Sequence, residues 1–149
     1  MAVQRDNPYA GFNFLVDLGD GDPTAVAAGF SEVSGLGMEV SVIEYRNGND
    51  KSNAPRKLPG LTKTPEVRFC RGVIGSTGLF AWLQAVANGQ QDYRDIVVQL
   101  RSEDQSQVAL SWKLAHAIPV RYSGPVFSAV KNAVAIEELV LACQSISVE

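Results

Sequence analysis

A run of 26 residues from Met38 to Lys63 constrains the fold more than any other stretch of the chain. A short β-prone segment (Val40, Val42, Ile43, Tyr45) leads into a long succession of Asn, Gly, Asp, Lys, Ser and Pro, and the chain is expected to return through Glu66, Val67, Arg68, Phe69 and Cys70 as a second strand. Hairpin loops in compact domains usually run about 2–5 residues. A charged connection of this length, anchored by strands at both ends, is either disordered or committed to a partner. Pro55, Pro59, Leu58 and Leu61 suit docking. The expectation is an extended β-hairpin arm over about 38–71 that reaches another copy of the chain.

With 149 residues, 46% of them hydrophobic, the chain can bury one core, so one domain is expected over 1–149. A net charge of -3 argues against a nucleic-acid binder. Cys70 and Cys143 lie far apart and form no C-x-x-C pair, which fits free thiols in a reducing compartment. The N-terminal residues lack the apolar stretch of a signal peptide, and no apolar run approaches the roughly 18–20 residues needed to span a bilayer. Synthesis in the cytoplasm without a cleaved signal, and no stable membrane span, are the expectations.

Phe12, Phe14, Val16 and Leu18 alternate with Asn13, Leu15 and Asp17, the pattern of a half-buried strand. Residues 19–23 are turn chemistry, Ala25 to Phe30 is read as a returning strand, and Ser31 to Gly37 as a small-residue turn. Leu79, Trp82, Leu83 and Val86 form one stripe at helical spacing, predicting a helix over about 76–88 with Ser76 or Thr77 as N-cap and Asn88-Gly89 as a left-handed stop. Ile96, Val98 and Leu100, then Val108, Leu110, Trp112 and Leu114, alternate on either side of a turn at 102–106, a strong hairpin signal. In the last strand, Val134 and Ile136 fall on one face and Leu139, Leu141 and Cys143 on the other, so a bulge near Glu137-Glu138 is expected to bring both sets into the core. The total is roughly seven strands and one helix: a mainly β (β+α) fold, an antiparallel β-sandwich or barrel with one packed helix.

Catalytic chemistry finds little support. The single histidine, His116, cannot build a triad or a His-rich metal site alone. Taking Asp20, Asp22 and Thr24 as the first ligands of a calcium loop puts Ala25 where glycine is required and Ser31 where a bidentate carboxylate is required. The glycine-rich stretch from Gly72 to Gly78 matches neither phosphate-binding pattern and reads as a strand-to-helix corner. No catalytic residue, metal ligand or cofactor is therefore assigned.

Charge is distributed unevenly. Residues 1–45 hold seven acids and one base; residues 46–71 hold seven bases and two acids. These are either two solvated faces or the two halves of a head-to-tail contact of the type that builds rings or open filaments. In the second reading Arg46, Lys51, Arg56, Lys57 and Lys63, with Leu58 and Leu61 as apolar anchors, form an inter-subunit arm, and Asp17, Asp20 and Asp22 are the first candidates for its acidic partner face. The arm lacks interleaved aromatics for base stacking, so specific nucleic-acid recognition is not expected.

Several motifs resemble one family in order. Asn7-Pro8-Tyr9, Phe12-Asn13-Phe14 and Ala28-Gly29-Phe30-Ser31-Glu32-Val33-Ser34-Gly35-Leu36 are followed by Val42-Ile43-Glu44-Tyr45-Arg46, Arg56-Lys57-Leu58-Pro59-Gly60 and Arg71-Gly72-Val73. Trp112-Lys113-Leu114, Ala117-Ile118-Pro119-Val120 and Ala135-Ile136-Glu137-Glu138-Leu139 complete the set. Together they resemble the inner tube proteins of contractile injection systems and contractile phage tails, with the tube protein of phage-tail-like extracellular systems the nearest and type VI secretion tube proteins more distant.

That resemblance implies a homohexameric ring whose subunits share one continuous β-barrel around a lumen, stacked into a rigid hollow tube inside a contractile sheath. It implies a catalytically inert structural protein, with sheath, baseplate and tube-terminating proteins as partners and effector or DNA cargo in the bore. The particle would be released extracellularly or form part of a virion. A wide barrel needs a polar interior. Alternation nominates Glu39, Ser41, Glu66, Arg68 and Cys70 for the lumen, Cys70 departing from the polar type, with Val40, Val42, Val67 and Phe69 facing the subunit core. The alternative is a monomeric β-barrel module whose arm clasps a peptide or ligand; a small hydrolase ranks third.

Overall fold

The structure, a computed structural model, describes residues 2–19 and 29–149. Within them the chain forms nine strands and one helix. In order these are β1 (Phe14–Asp17), β2 (Glu32–Ser34), β3 (Glu39–Tyr45), β4 (Arg56–Lys63), β5 (Val67–Gly72), α1 (Gly78–Ala87), β6 (Arg94–Arg101), β7 (Val108–Ser123), β8 (Ile136–Ala142) and β9 (Ser145–Val148). Every strand pairing is antiparallel.

The body is a seven-stranded sheet with the order β1-β6-β7-β8-β5-β2, and β9 adds to β7. The 16-residue β7 is shared: Val108 to Ala117 pairs with β6 and β9, whereas Ile118 to Ser123 pairs with β8. The change of partners occurs beside His116, whose φ of +51° is a left-handed conformation that few non-glycine residues adopt. Its amide donates to Asp95 Oδ1 at 3.1 Å, and its ring meets Tyr93 edge-on. The lone histidine thus marks a corner where one strand passes between two layers.

Between these layers lies the core. Val16, Ile96, Val98 and Leu114 come from one side, Val67, Phe69, Leu139 and Leu141 from the other, and all are buried. Leu79 and Trp82 close the core from α1, which packs against β7. Trp82 satisfies its indole N–H on the Asp92 carbonyl at 2.9 Å and stacks under the Arg94 guanidinium. The helix starts slightly later than its periodicity suggests: Thr77 occupies the cap position without a side-chain bond, while the Gly78 amide donates to Ser76 Oγ at 3.3 Å. It stops where expected, with Gly89 at φ +94° and its amide bonded to the Val86 carbonyl.

Four sequence expectations are corrected. The return strand of the arm is Arg56–Lys63, not Glu66–Cys70; β5 belongs to the body, so the arm is a hairpin closed on itself. The segment read as a turn at 31–37 contains β2, which pairs with β5; the strand read over 25–30 lies mostly outside the described residues, and Phe30 is not in a strand. Phe12 precedes β1 and is 73% exposed. Finally, β8 pairs regularly with β5 from Ile136 to Leu141, without a bulge at Glu137-Glu138. Val134 and Ile136 instead stay exposed, and their inward neighbour is Glu137, a buried carboxylate that no hydrophobic pattern would place inside.

Candidate assembly surfaces

The hairpin β3–β4 stands apart from the body as its own two-stranded sheet. Register fixes Ile43 opposite Leu58, Val42 opposite Pro59 and Tyr45 opposite Arg56, with a bulge between Val40 and Val42. Every residue of β3 is exposed, and in β4 only Gly60 is half-buried. Val42, Ile43, Tyr45 and Leu61 are 60%, 52%, 51% and 85% exposed. Val40 and Val42, expected in the subunit core, therefore project into solvent, because the strands that carry them have only each other as neighbours. An isolated two-stranded hairpin is marginally stable in water, and an apolar surface of this kind marks an interaction site.

Two features hold the hairpin in place. At its base Gly35 adopts φ +89°, and a Cβ there would lie 2.3 Å from the Glu66 carbonyl oxygen, so only glycine lets the outgoing and returning chains pass. At its tip Asp50 accepts from the Asn47 amide at 3.0 Å and lies 3.7 Å from Arg56. Arg46 donates to the Ser52 and Asp50 carbonyls at 2.9 and 3.1 Å. Arg46, assigned from sequence to an inter-subunit contact, is thus engaged within its own tip. Lys51, Lys57, Leu58, Leu61 and Lys63 remain exposed, and Arg56 keeps 62% of its side chain accessible.

The second surface is the outward face of the β2–β5–β8–β7 layer. Register aligns Ser34, Arg68, Val140 and Arg121 in one row and Glu32, Cys70, Glu138 and Ser123 in the next. Glu138 bridges Arg68 at 2.7 Å and Arg121 at 3.7 Å, and the Arg68 hydrogen bond holds the Glu138 carboxyl below its ordinary range. Of the residues nominated for a lumen, Arg68 lies on this face, Glu66 is exposed just before β5, and Glu39 and Ser41 are exposed on the hairpin. Cys70 shares the face but is only 6% exposed; burial raises its thiol pKa, with Arg68 3.6 Å from Sγ. It offers no wall surface, since the larger neighbouring side chains cover it. Glu32, Arg121 and Glu138 were not singled out from sequence, and only strand register reveals that they accompany Arg68.

On the opposite face Arg71 and Glu137 are almost fully buried and joined at 2.6 Å, and Tyr122 donates to the other Glu137 oxygen at 2.6 Å. That hydrogen bond raises the Tyr122 pKa. The triad ties β5, β8 and β7 together and is structural.

Of the acids proposed to meet the arm, Asp17 ends β1 and accepts from the Gly19 amide at 2.9 Å, while Asp20 and Asp22 lie outside the described residues. Among the described residues no group of three or more His, Cys, Asp or Glu side chains could hold a metal ion, and no helix is long and apolar enough to cross a membrane.

This geometry has counterparts. The family model described as T4-like virus tail tube protein gp19 matches residues 10–147. No curated protein matches the sequence significantly. Among solved structures, a chain of an extracellular contractile injection system, the PVC sheath–tube complex in its extended state, is 27% identical with TM-score 0.84, covering 95% of this chain and 91% of that one. A chain in the cryo-EM structure of the anti-feeding prophage tube-terminating cap is 27% identical with TM-score 0.86, covering 100% of this chain and 95% of that one. A chain in the six-fold symmetrised anti-feeding prophage baseplate is 25% identical with TM-score 0.82, covering 97% of each.

Proposed function

Since this chain belongs to the T4-like virus tail tube protein gp19 family and is a structural tube protein of contractile injection systems, not an enzyme, we propose that copies of it close into six-membered rings that stack as the inner tube of a phage-tail-like particle. The observation that carries the reading is the β3–β4 hairpin. Its apolar residues lie exposed on both faces, more than one clasped peptide could cover, so the clasping-module alternative is set aside. Adding the hairpin to strands of an adjacent copy closes the sheet into a ring and removes its edges.

In that ring the polar face carrying Arg68, Arg121, Glu138 and Glu32 lines the bore, continued by Glu39, Ser41 and Glu66 of the hairpin base. Effector or DNA cargo passes along it. Lys51, Arg56, Lys57 and Lys63, with Leu58 and Leu61, dock on the acidic side of the next copy, Asp17, Asp20 and Asp22 among its carboxylates. Sheath, baseplate and tube-terminating proteins are its partners, and the particle acts outside the cell that makes it. The similar chains come from a sheath–tube complex, a terminating cap and a baseplate, which supports the sheath, terminator and baseplate as partners. The whole chain acts as one tube domain.

Native mass measurement and negative-stain imaging, with baseplate components co-expressed to nucleate assembly, test the proposal. Rings or tubes are expected, and monomers under every condition would overturn it. Reversing Arg56 and Lys57 to Glu is expected to block assembly at low salt, because like charges placed against each other at an interface cost several kcal/mol. Screening should soften the defect at higher ionic strength. Normal assembly of that variant at low salt would remove the electrostatic part of the docking.

A further inference from the structure

The β2–β5–β8–β7 layer is open along both sides. Among the described residues β2 pairs only with β5, and Ile118 to Ser123 of β7 pair only with β8, because the ladders to β6 and β9 end at Ala117 and Ala115. Unpaired edges of this kind are templates for another strand. Neighbouring strands of the layer alternate in direction, so β7 and β2, at its two edges, run in opposite senses. A rotation about an axis along the strands that sets one copy's β7 beside the next copy's β2 therefore makes an antiparallel seam. The hairpin lengthens the β2 edge. From the pair Ser34–Arg68 to the pair Glu39–Lys63 both strands move on by five residues, so β3 continues β2 in the register of the β2–β5 ladder.

The two edges also match face by face. On the polar face β2 carries Glu32 and Ser34, and β7 carries Arg121 and Ser123. On the other face β2 overhangs a cavity of about 230 Å³, lined mainly by Phe14, Val33, Leu36, Val98, Leu100 and Trp112. On that same face β7 carries Tyr122, whose ring meets Phe80 of α1 edge-on at 5.6 Å, and Phe80 is 50% exposed. We propose that residues 118–123 of one copy pair with β2 of the next, and that Phe80 of the first copy seats in the cavity beneath β2 of the second. The proposal rests on the tube reading and names the seam within the ring. An apolar cavity of about 150 Å³ holds a benzene ring, so the space beneath β2 accommodates one phenyl group. Phe80 and the cavity lie on the same side of the layer, each beside its open edge, so pairing the edges brings them together. The contact is heterologous, and repeated by rotation it closes a ring with both edges covered. A foreign strand on either edge would leave the other bare.

Amide exchange on the parent chain tests the seam without any substitution. Residues 32–34 and 118–123 should both gain protection in pelleted tubes relative to the unassembled chain. Tubes in which either segment gains none overturn the seam alone, whereas a parent chain that never assembles defeats the tube reading itself. Phe80→Asp should melt like the parent and yield no pelletable tube from cells in which the parent assembles; a folded Phe80→Asp chain that still assembles removes Phe80 from the seam. The seating itself is read with p-azidophenylalanine at position 80, which keeps the phenyl ring. Irradiated tubes should give linked chains whose new bond lies within residues 31–36 or at Val98, Leu100 or Trp112 of the adjacent copy. Links formed only elsewhere would reject the cavity as the place where Phe80 docks.

Discussion

Phe69 and Ile43 both sit in antiparallel strands of similar β propensity, in parts of the chain only a turn or two apart. Phe69 is fully buried, with Phe30 edge-on at 5.4 Å and β2 and β8 on either side. Ile43 is 52% exposed in a strand whose only ladder is with β4. The difference lies in the number of neighbours each strand has. The body buries side chains from both layers and one helix against each other and is complete in a single chain. The hairpin has a satisfied tip and base but no layer beneath it, so its apolar residues stay exposed in the single chain. Burial of a large apolar side chain contributes about 1.5–3 kcal/mol, a contribution the body receives on folding and that, in the proposed ring, the hairpin receives only on assembly.

The comparison would break first at the buried ion pair. Arg71→Leu leaves the Glu137 carboxylate without its cation in the core and should cost about 3–5 kcal/mol, read by denaturant melting of the unassembled chain. A loss below about 1 kcal/mol would show that water reaches the site and that the body is less closed than described. Next comes the joint between the regions. Gly35→Ala forces a side chain into a left-handed conformation, about 1–2 kcal/mol, and also into the Glu66 carbonyl. The expected result is a destabilised body and a hairpin with altered direction, seen as broadened amide resonances on both β2 and β3.

Replacing residues 46–55 with an Asn-Gly turn sharpens the contrast from the other side. The core makes no use of those residues, and loop closure changes slowly with length, so the melting free energy of the single chain should stay within about 0.5 kcal/mol. Assembly should be lost. Loss of cooperative melting instead would mean that hairpin and body form one unit.

The smallest effect concerns the N-terminal segment, where Arg5 bonds Glu103 at 2.5 and 2.8 Å and also donates to the Asn7 and Pro8 carbonyls. The Arg5 hydrogen bond lowers the Glu103 pKa from 4.5 to about 2. A depressed carboxylate stabilises the folded state above its unfolded pKa, and that contribution disappears as pH falls from the unfolded value near 4.5 through about 2. Amides of residues 3–9 should lose exchange protection across that window while the core strands keep theirs, and Arg5→Ala should remove the pH dependence. Because the pair lies at the surface, with the two side chains 33% and 48% exposed, the melting midpoint should barely move.

Much of this was legible from local pattern. The hairpin β6–β7, the stripe of Leu79 and Trp82, the stop at Gly89 and the overlong arm all follow from periodicity and turn chemistry within a few residues. The pattern predicts an arm but puts its return strand too late, because Arg56 to Lys63 contains a proline and a glycine and lacks clean alternation. Pro59 is tolerated there because this is an edge-type ladder with no strand on the far side of β4. Arg46 stands among the basic residues of the arm, and nothing in its spacing reveals that it also binds the Ser52 and Asp50 carbonyls of its own tip.

The sequence alone determined that a mainly β fold carries a projecting arm, since alternation, composition and glycine placement act over short distances and survive without context. Only the tertiary structure decided that Glu137 enters the core while Ile136 does not, that Cys70 is covered, and that Arg68, Arg121 and Glu138 share a face. Those outcomes depend on register between strands more than 60 residues apart, such as Arg71 opposite Glu137. A shift of one residue in that register would exchange every side chain between core and surface.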